Sequence, residues 1–186
     1  MFSRRTVALA VLSSLLLTGC SVISEILPDG AITNVLSGRE GINGPVLVVK
    51  IDDTTQAHPQ VGLEDADIVY IEQVEGGLTR LAAVFSSVIP QRIGPVRSAR
   101  ISDIEILSQF GRVAFAYSGA QSKLLAVIAA ANLQDLGAQR QSPTIFTTDP
   151  NRIPPYAMVL RADLLMQRIT ENKYAIDSAK SIGFEC

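Results

Sequence analysis

The chain has 186 residues, with 16 Lys or Arg against 18 Asp or Glu, a hydrophobic content of 47% and a mean hydropathy of +0.27. That length accommodates one ordinary domain and a targeting segment. The acidic balance, with no basic patch or aromatic platform, argues against nucleic acid as a partner. A lone histidine and two cysteines argue against a metal or cofactor site.

Much of the hydropathy sits at the N-terminus. Arg4 and Arg5 precede an apolar run from Val7 to Leu17, shorter than the roughly 20 helical residues that span a bilayer. The run ends in Leu17-Thr18-Gly19-Cys20, which resembles the bacterial lipobox: small residues let the peptidase reach the backbone beside a diacylated thiol. Residues 1–19 are therefore expected to be a lipoprotein signal peptide. Cys20 is the expected lipidation site, carrying palmitate-like chains that anchor the protein on the extracytoplasmic face of the cell membrane. Loss of Arg4 and Arg5 leaves 14 basic against 18 acidic residues, a net charge of −4. With Cys20 acylated, Cys186 has no intrachain partner.

Residues 20–44 read as the lipidated cysteine and a tether. Pro45–Ile51 is a β-branched run suited to a strand buried on both faces. A polar loop containing His58 follows, then a strand over Ile68–Glu75. Gly76-Gly77 suggests a two-residue hairpin loop, pairing Glu75 with Leu78, Gln73 with Arg80 and Tyr70 with Ala83, and so placing Glu75 within reach of Arg80. Leu81–Val88 completes the hairpin, and Pro90–Pro95 reads as turns. A helix is expected to begin near Ser98 or Ser102, with Ser102 and Glu105 at capping-box spacing, and to stop at Gly111. Val113–Tyr117 alternates as a strand, Ser122–Ala131 reads as a helix, Thr144–Thr147 as a short strand, Asp149–Pro155 as a stiff loop and Met158–Lys173 as a helix. The alternation predicts an α/β domain: a mixed sheet with flanking helices and one β-hairpin.

Charge is segregated. Asp52 to Glu75 contains only acidic charges, whereas Gly76 to Ser102 contains Arg80, Arg92, Arg97 and Arg100 and no acid. Arg97 and Arg100 at a helix start, together with Arg80, would suit a phosphate, sulfate or carboxylate held bidentately. The competing reading is that these arginines pair with the acidic run and staple loop to sheet. Glu72, Glu75, Asp52 and Asp53 are the candidates for acid–base chemistry, with Glu75 the best placed, at a strand end beside a turn. His58 lacks the surroundings of a nucleophilic triad or metal site and reads as a turn residue.

The segments Pro59-Gln60-Val61-Gly62-Leu63, Ala66-Asp67-Ile68-Val69-Tyr70, Glu75-Gly76-Gly77-Leu78-Thr79-Arg80 and Ile93-Gly94-Pro95-Val96-Arg97-Ser98-Ala99-Arg100 resemble the YerB-type envelope lipoproteins, whose domain has no established activity. The resemblance covers roughly residues 44–160 and implies an exported lipoprotein with its polar positions at Glu75, Arg80, Arg97 and Arg100. Two departures stand out. A His-Asn-Leu-Tyr-like segment of the family is replaced by Pro155-Tyr156-Ala157-Met158, and the second, β-rich domain is expected to be cut short. The expected organisation is a YerB-like domain over 45–175 and the start of a truncated C-terminal region over 176–186. The leading functional expectation is binding of an anionic cell-envelope ligand through Arg80, Arg97 and Arg100, with Glu75 orienting Arg80. The alternatives are a cell-wall glycan or peptide hydrolase using Glu75 or Glu72, and a structural scaffold.

Overall fold

The structure is a computed structural model that describes residues 32–183. The expected signal peptide, Cys20 and Cys186 lie outside the described residues. Five strands form the main sheet: β1 (Leu47–Asp52), β2 (Ile68–Gln73), β3 (Thr79–Phe85), β5 (Val113–Ala116) and β6 (Leu133–Asp135). Their spatial order is β2-β3-β1-β5-β6, antiparallel on the hairpin side and parallel from β1 through β6. A second, three-stranded antiparallel sheet contains β4 (Arg92–Ile93), β8 (Met158–Arg161) and β7 (Phe146–Thr148). The helices are α1 (Ser102–Ser108), α2 (Ser122–Ala130) and α3 (Ala162–Glu171).

Strand alternation sends the side chains of β1 and β3 to two cores. Val49, Ile51, Leu81, Ala83 and Phe85 pack with Ile93, Leu160 and Leu165, under the small sheet and α3. Val48, Ala82 and Val84 pack with Leu107, Phe115, Leu124 and Ile128, under α1 and α2. All six β1 residues are buried, as a strand covered on both faces requires. Each large aliphatic or aromatic side chain so buried contributes about 1.5–3 kcal/mol.

Several sequence expectations are corrected here. The hairpin loop has three residues, Glu75-Gly76-Gly77, closed by a Val74 N–H donating to the Leu78 carbonyl at 2.8 Å. Both glycines have positive φ (72° and 71°), which only glycine adopts cheaply. The extra loop residue moves the register by one: Glu72 faces Arg80, Gln73 faces Thr79 and Tyr70 faces Ala82. Met158–Lys173 is not one helix but β8 followed by α3, because its β-branched and apolar start pairs with β4 and β7. The strands β4 and β6, too short for a periodic signal, were not anticipated.

The domain also extends past the expected tether. Residues 32–44 pack onto the sheet: Asn34 is buried and donates to the Ile42 carbonyl (2.7 Å) and Ser86 Oγ (3.3 Å), and Ser37 Oγ donates to Asp67 Oδ1 at 2.7 Å. Residues 177–179 return beside this segment, where Val46 N–H donates to the Asp177 carbonyl and Ala179 N–H to the Gly44 carbonyl.

Candidate functional site

The carboxyl ends of β1 and β5 point the same way, and crevices at such ends are where open α/β sheets place ligands. Here the segment Val96–Ala99 is wedged between them. Arg97 N–H donates to the Lys50 carbonyl (2.8 Å), Ser118 N–H donates to the Arg97 carbonyl (2.9 Å), and Ala99 N–H donates to the Gly119 carbonyl (2.9 Å). Arg97 is thus carried on a non-helical segment bonded to both strands. Helix α1 begins only at Ser102, and the Arg100 N–H is taken by Asp103 Oδ2 at 2.6 Å. The two arginines therefore precede the helix, and their own backbone amides are already bonded within the fold. The capping box is absent, since Ser102 Oγ donates instead to Glu72 Oε2 at 2.5 Å.

Four cations meet four carboxylates around this edge. Lys50, fully buried, donates through Nζ to Glu72 Oε1 and to Asp103 Oδ1, the latter at 2.7 Å. Arg80 is 5% exposed, with Nη1 at 3.3 Å from Asp52 Oδ1 and donating to the Thr79 carbonyl. Asp52 Oδ1 also accepts from Thr54 N–H. Asp52 Oδ2 lies 2.8 Å from Arg97 Nε without an aligned hydrogen bond, a contact of charge alone. Arg100 donates from Nε (3.0 Å) and Nη2 (2.8 Å) to Glu75 Oε2.

Electrostatics follow the burial. Desolvation pushes the Asp103 carboxyl up to about 6, against the opposing pull of Lys50 and with the help of the Glu72 charge. Burial pulls Arg80 below its ordinary value, partly offset by Asp52, and the neighbouring Arg97 and Arg100 pull the same way. The hydrogen bond from Arg100 holds Glu75 below the usual carboxylate range.

The sequence-predicted residues divide accordingly. Arg80, Arg97, Arg100 and Glu75 do converge on one edge, but Glu75 holds Arg100 rather than Arg80, whose partner is Asp52. Glu72 is 7% exposed with both oxygens bonded, by Lys50 and Ser102. That describes an ion-pair strut, not an acid or base open to a substrate. His58 sits on a loop 3.3 Å from Asp53 Oδ1.

Lys50, Asp103 and Tyr156 were missed. Lys50 carried a legible signal, as the one basic residue inside a buried, otherwise largely apolar strand. Tyr156 lies with its ring 5.9 Å from the Arg97 guanidinium carbon, a cation–π distance. Arg97 keeps 23% of its side chain exposed. Its Nη1 reaches the Pro155 carbonyl only at 3.4 Å, and Nη2 has no hydrogen-bond partner among the described residues. It borders a cavity of about 310 Å³ that Ser118, Thr148, Pro154 and Met158 also line.

Fold and edge together define an α/β domain with a charge-balanced cluster under the crevice of a mixed sheet. Residues 32–175 match the family described as "Protein of unknown function (DUF3048) N-terminal domain", and the chain belongs to that family. It is 50% identical over 56 residues to "Putative lipoprotein YerB" of Bacillus subtilis strain 168, an alignment covering 30% of this chain and 17% of that protein. The crystal structure of the YerB protein from Bacillus subtilis shares the fold with a TM-score of 0.71 and 23% identity, over 80% of this chain and 53% of that one. The chain thus spans about half the length of that YerB structure.

Proposed function

We propose that the protein is a membrane-anchored extracytoplasmic lipoprotein whose domain binds an anionic cell-envelope ligand at the crevice beside Arg97. The lipobox-like Cys20 and the lipoprotein name of the YerB relative support the anchor and its location. The observation that carries the binding reading is the state of Arg97: backbone fixed between β1 and β5, Nε steered by Asp52, and unsatisfied donors bordering a cavity. A guanidinium fork so placed suits a phosphate or carboxylate. Arg80 serves from below by fixing Asp52, whereas Arg100 is turned to Glu75 and does not line this cavity.

Titration calorimetry of the whole chain in mild non-ionic detergent, against soluble muropeptides and teichoic-acid fragments, tests this. Saturable heat that Arg97→Ala reduces by at least tenfold, with the melting temperature preserved, is the expected result. Absence of heat from the folded protein with either ligand class would remove the reading and return the arginines to a structural role.

A further inference from the structure

A second cleft lies on the other side of the Arg97–Arg100 segment. It has a volume of about 250 Å³, and its walls are largely apolar: Ala99, Ile101, Leu124 and Val127, with Arg100 and Lys123 among the residues that edge it. That volume lies just below the range of drug-sized ligand pockets. Ile101 is 64% exposed and Val127 39%, so this apolar surface is uncovered. The side chain of Lys123 is exposed and has no ion pair or hydrogen bond among the described residues. Arg100 already holds a carboxylate there, that of Glu75.

Glu75 is a displaceable occupant. It sits on a three-residue loop, its side chain 62% exposed, and a Cβ placed on either Gly76 or Gly77 would meet nothing within 4 Å. Space around the loop lets the carboxylate swing away from the Arg100 fork. An exposed pair of this kind holds weakly, so an outside carboxylate with an apolar body for the cleft competes with it.

We infer that this cleft binds a small amphiphilic monocarboxylate, seated with its carboxylate on Arg100 and Lys123 and its short apolar body against Leu124, Val127 and Ile101, in place of Glu75. The site is independent of the Arg97 crevice. The same chemistry is offered by a peptide chain terminus with small apolar side chains and by a short fatty acid, and the two sources can be separated by experiment.

Arginine Nε–H resonances of the whole chain in mild non-ionic detergent are followed by NMR while N-acetyl-alanyl-alanine, its C-terminal amide, or octanoate is added. The expected result is a saturable shift of the Arg100 resonance with at least one carboxylate and none with the amide. Glu75→Gln should tighten that binding about threefold by removing the internal competitor. Lys123→Glu and Val127→Glu, both at exposed positions of α2, should each weaken it about tenfold with the melting temperature preserved. A response to the dipeptide alone assigns a peptide terminus, and to octanoate alone an acyl acid. Unchanged Arg100 resonances with both carboxylates, or binding indifferent to Lys123 and Val127, would overturn the inference. A shift confined to Arg97 would also overturn it while leaving the Arg97 reading intact.

Discussion

Lys50 and Arg97 both stand near the carboxyl end of β1, and Arg97 N–H even bonds to the Lys50 carbonyl, yet they are held in different ways. Lys50 has no exposure and is clamped by two carboxylates, Glu72 and Asp103, from β2 and α1. Arg97 keeps part of its side chain in solvent, shares a single carboxylate with Arg80, and leaves donors open. The first arrangement completes its own bonding and gains nothing from a ligand. The second is oriented but unfinished, which is the condition of a recognition group. Arginine count along the chain therefore says little about binding; what distinguishes the positions is how fully each cation is neutralised inside the fold.

The sharpest way to break this contrast is to remove the buried cation. Lys50→Met leaves Glu72 and Asp103 buried without a counter-charge and should lower unfolding stability by about 3–5 kcal/mol, read from the urea midpoint. Adding Glu72→Leu and Asp103→Leu should recover much of the loss, because an apolar replacement of a whole buried ionic cluster is often neutral. A loss under about 1 kcal/mol for the single variant would show that water reaches the cluster. Next comes Asp52→Asn, which keeps an acceptor for Thr54 N–H but removes the carboxylate partner of buried Arg80. It should cost about 2 kcal/mol and also release Arg97 from its orientation.

The pH dependence separates the two regions without changing their packing partners. Asp103 has its folded value raised to about 6 from an ordinary 3.8. The folded protein therefore holds a proton that the unfolded chain has released, and stability falls as pH rises from about 4 to about 6. Below that window the slope reverses, because Asp67, although burial pushes it up, is held lower on balance by hydrogen bonds from Ser87, Ser37 and Ser86, and its stabilisation is lost as it protonates. Urea midpoints measured across pH 4–6 should decline for the native chain and flatten in Asp103→Asn. A rising curve through that window would contradict the assignment.

How much of this could be read beforehand depends on the range of the interactions. The buried character of β1, the β2–β3 hairpin and α2 follow from local pattern, and all three appear where periodicity places them. The hairpin register does not: Gly76-Gly77 is compatible with a two- or three-residue loop, and only the pairing of Glu72 with Arg80 opposite Asp52 decides for three. That single residue moved Glu75 out of the strand and onto Arg100. The break inside 158–173 was hidden because Met158–Arg161 is apolar enough for either state, and its strand form depends on β4 and β7, both distant in sequence. The convergence of Arg80, Arg97 and Arg100 was legible from charge segregation. Their partners were not, since those lie across the fold.

The smallest expected effects lie on the rim, and they sharpen the comparison most. Arg97→Ala removes a partly exposed contact, and Asp52 keeps Arg80, so stability should change by about 1 kcal/mol or less. Glu75→Gln should leave the melting temperature unmoved, because the carboxylate is exposed at the tip of an open loop. Both variants should keep the urea midpoint within the spread of the native chain while altering ligand response at their own cleft: loss at Arg97, gain at Arg100. If instead Arg97→Ala destabilised the protein as strongly as Lys50→Met, the rim would be part of the same structural strut as the core cluster. Asp52 would then be the residue that joins them, since it is the one carboxylate touching both Arg80 within and Arg97 without.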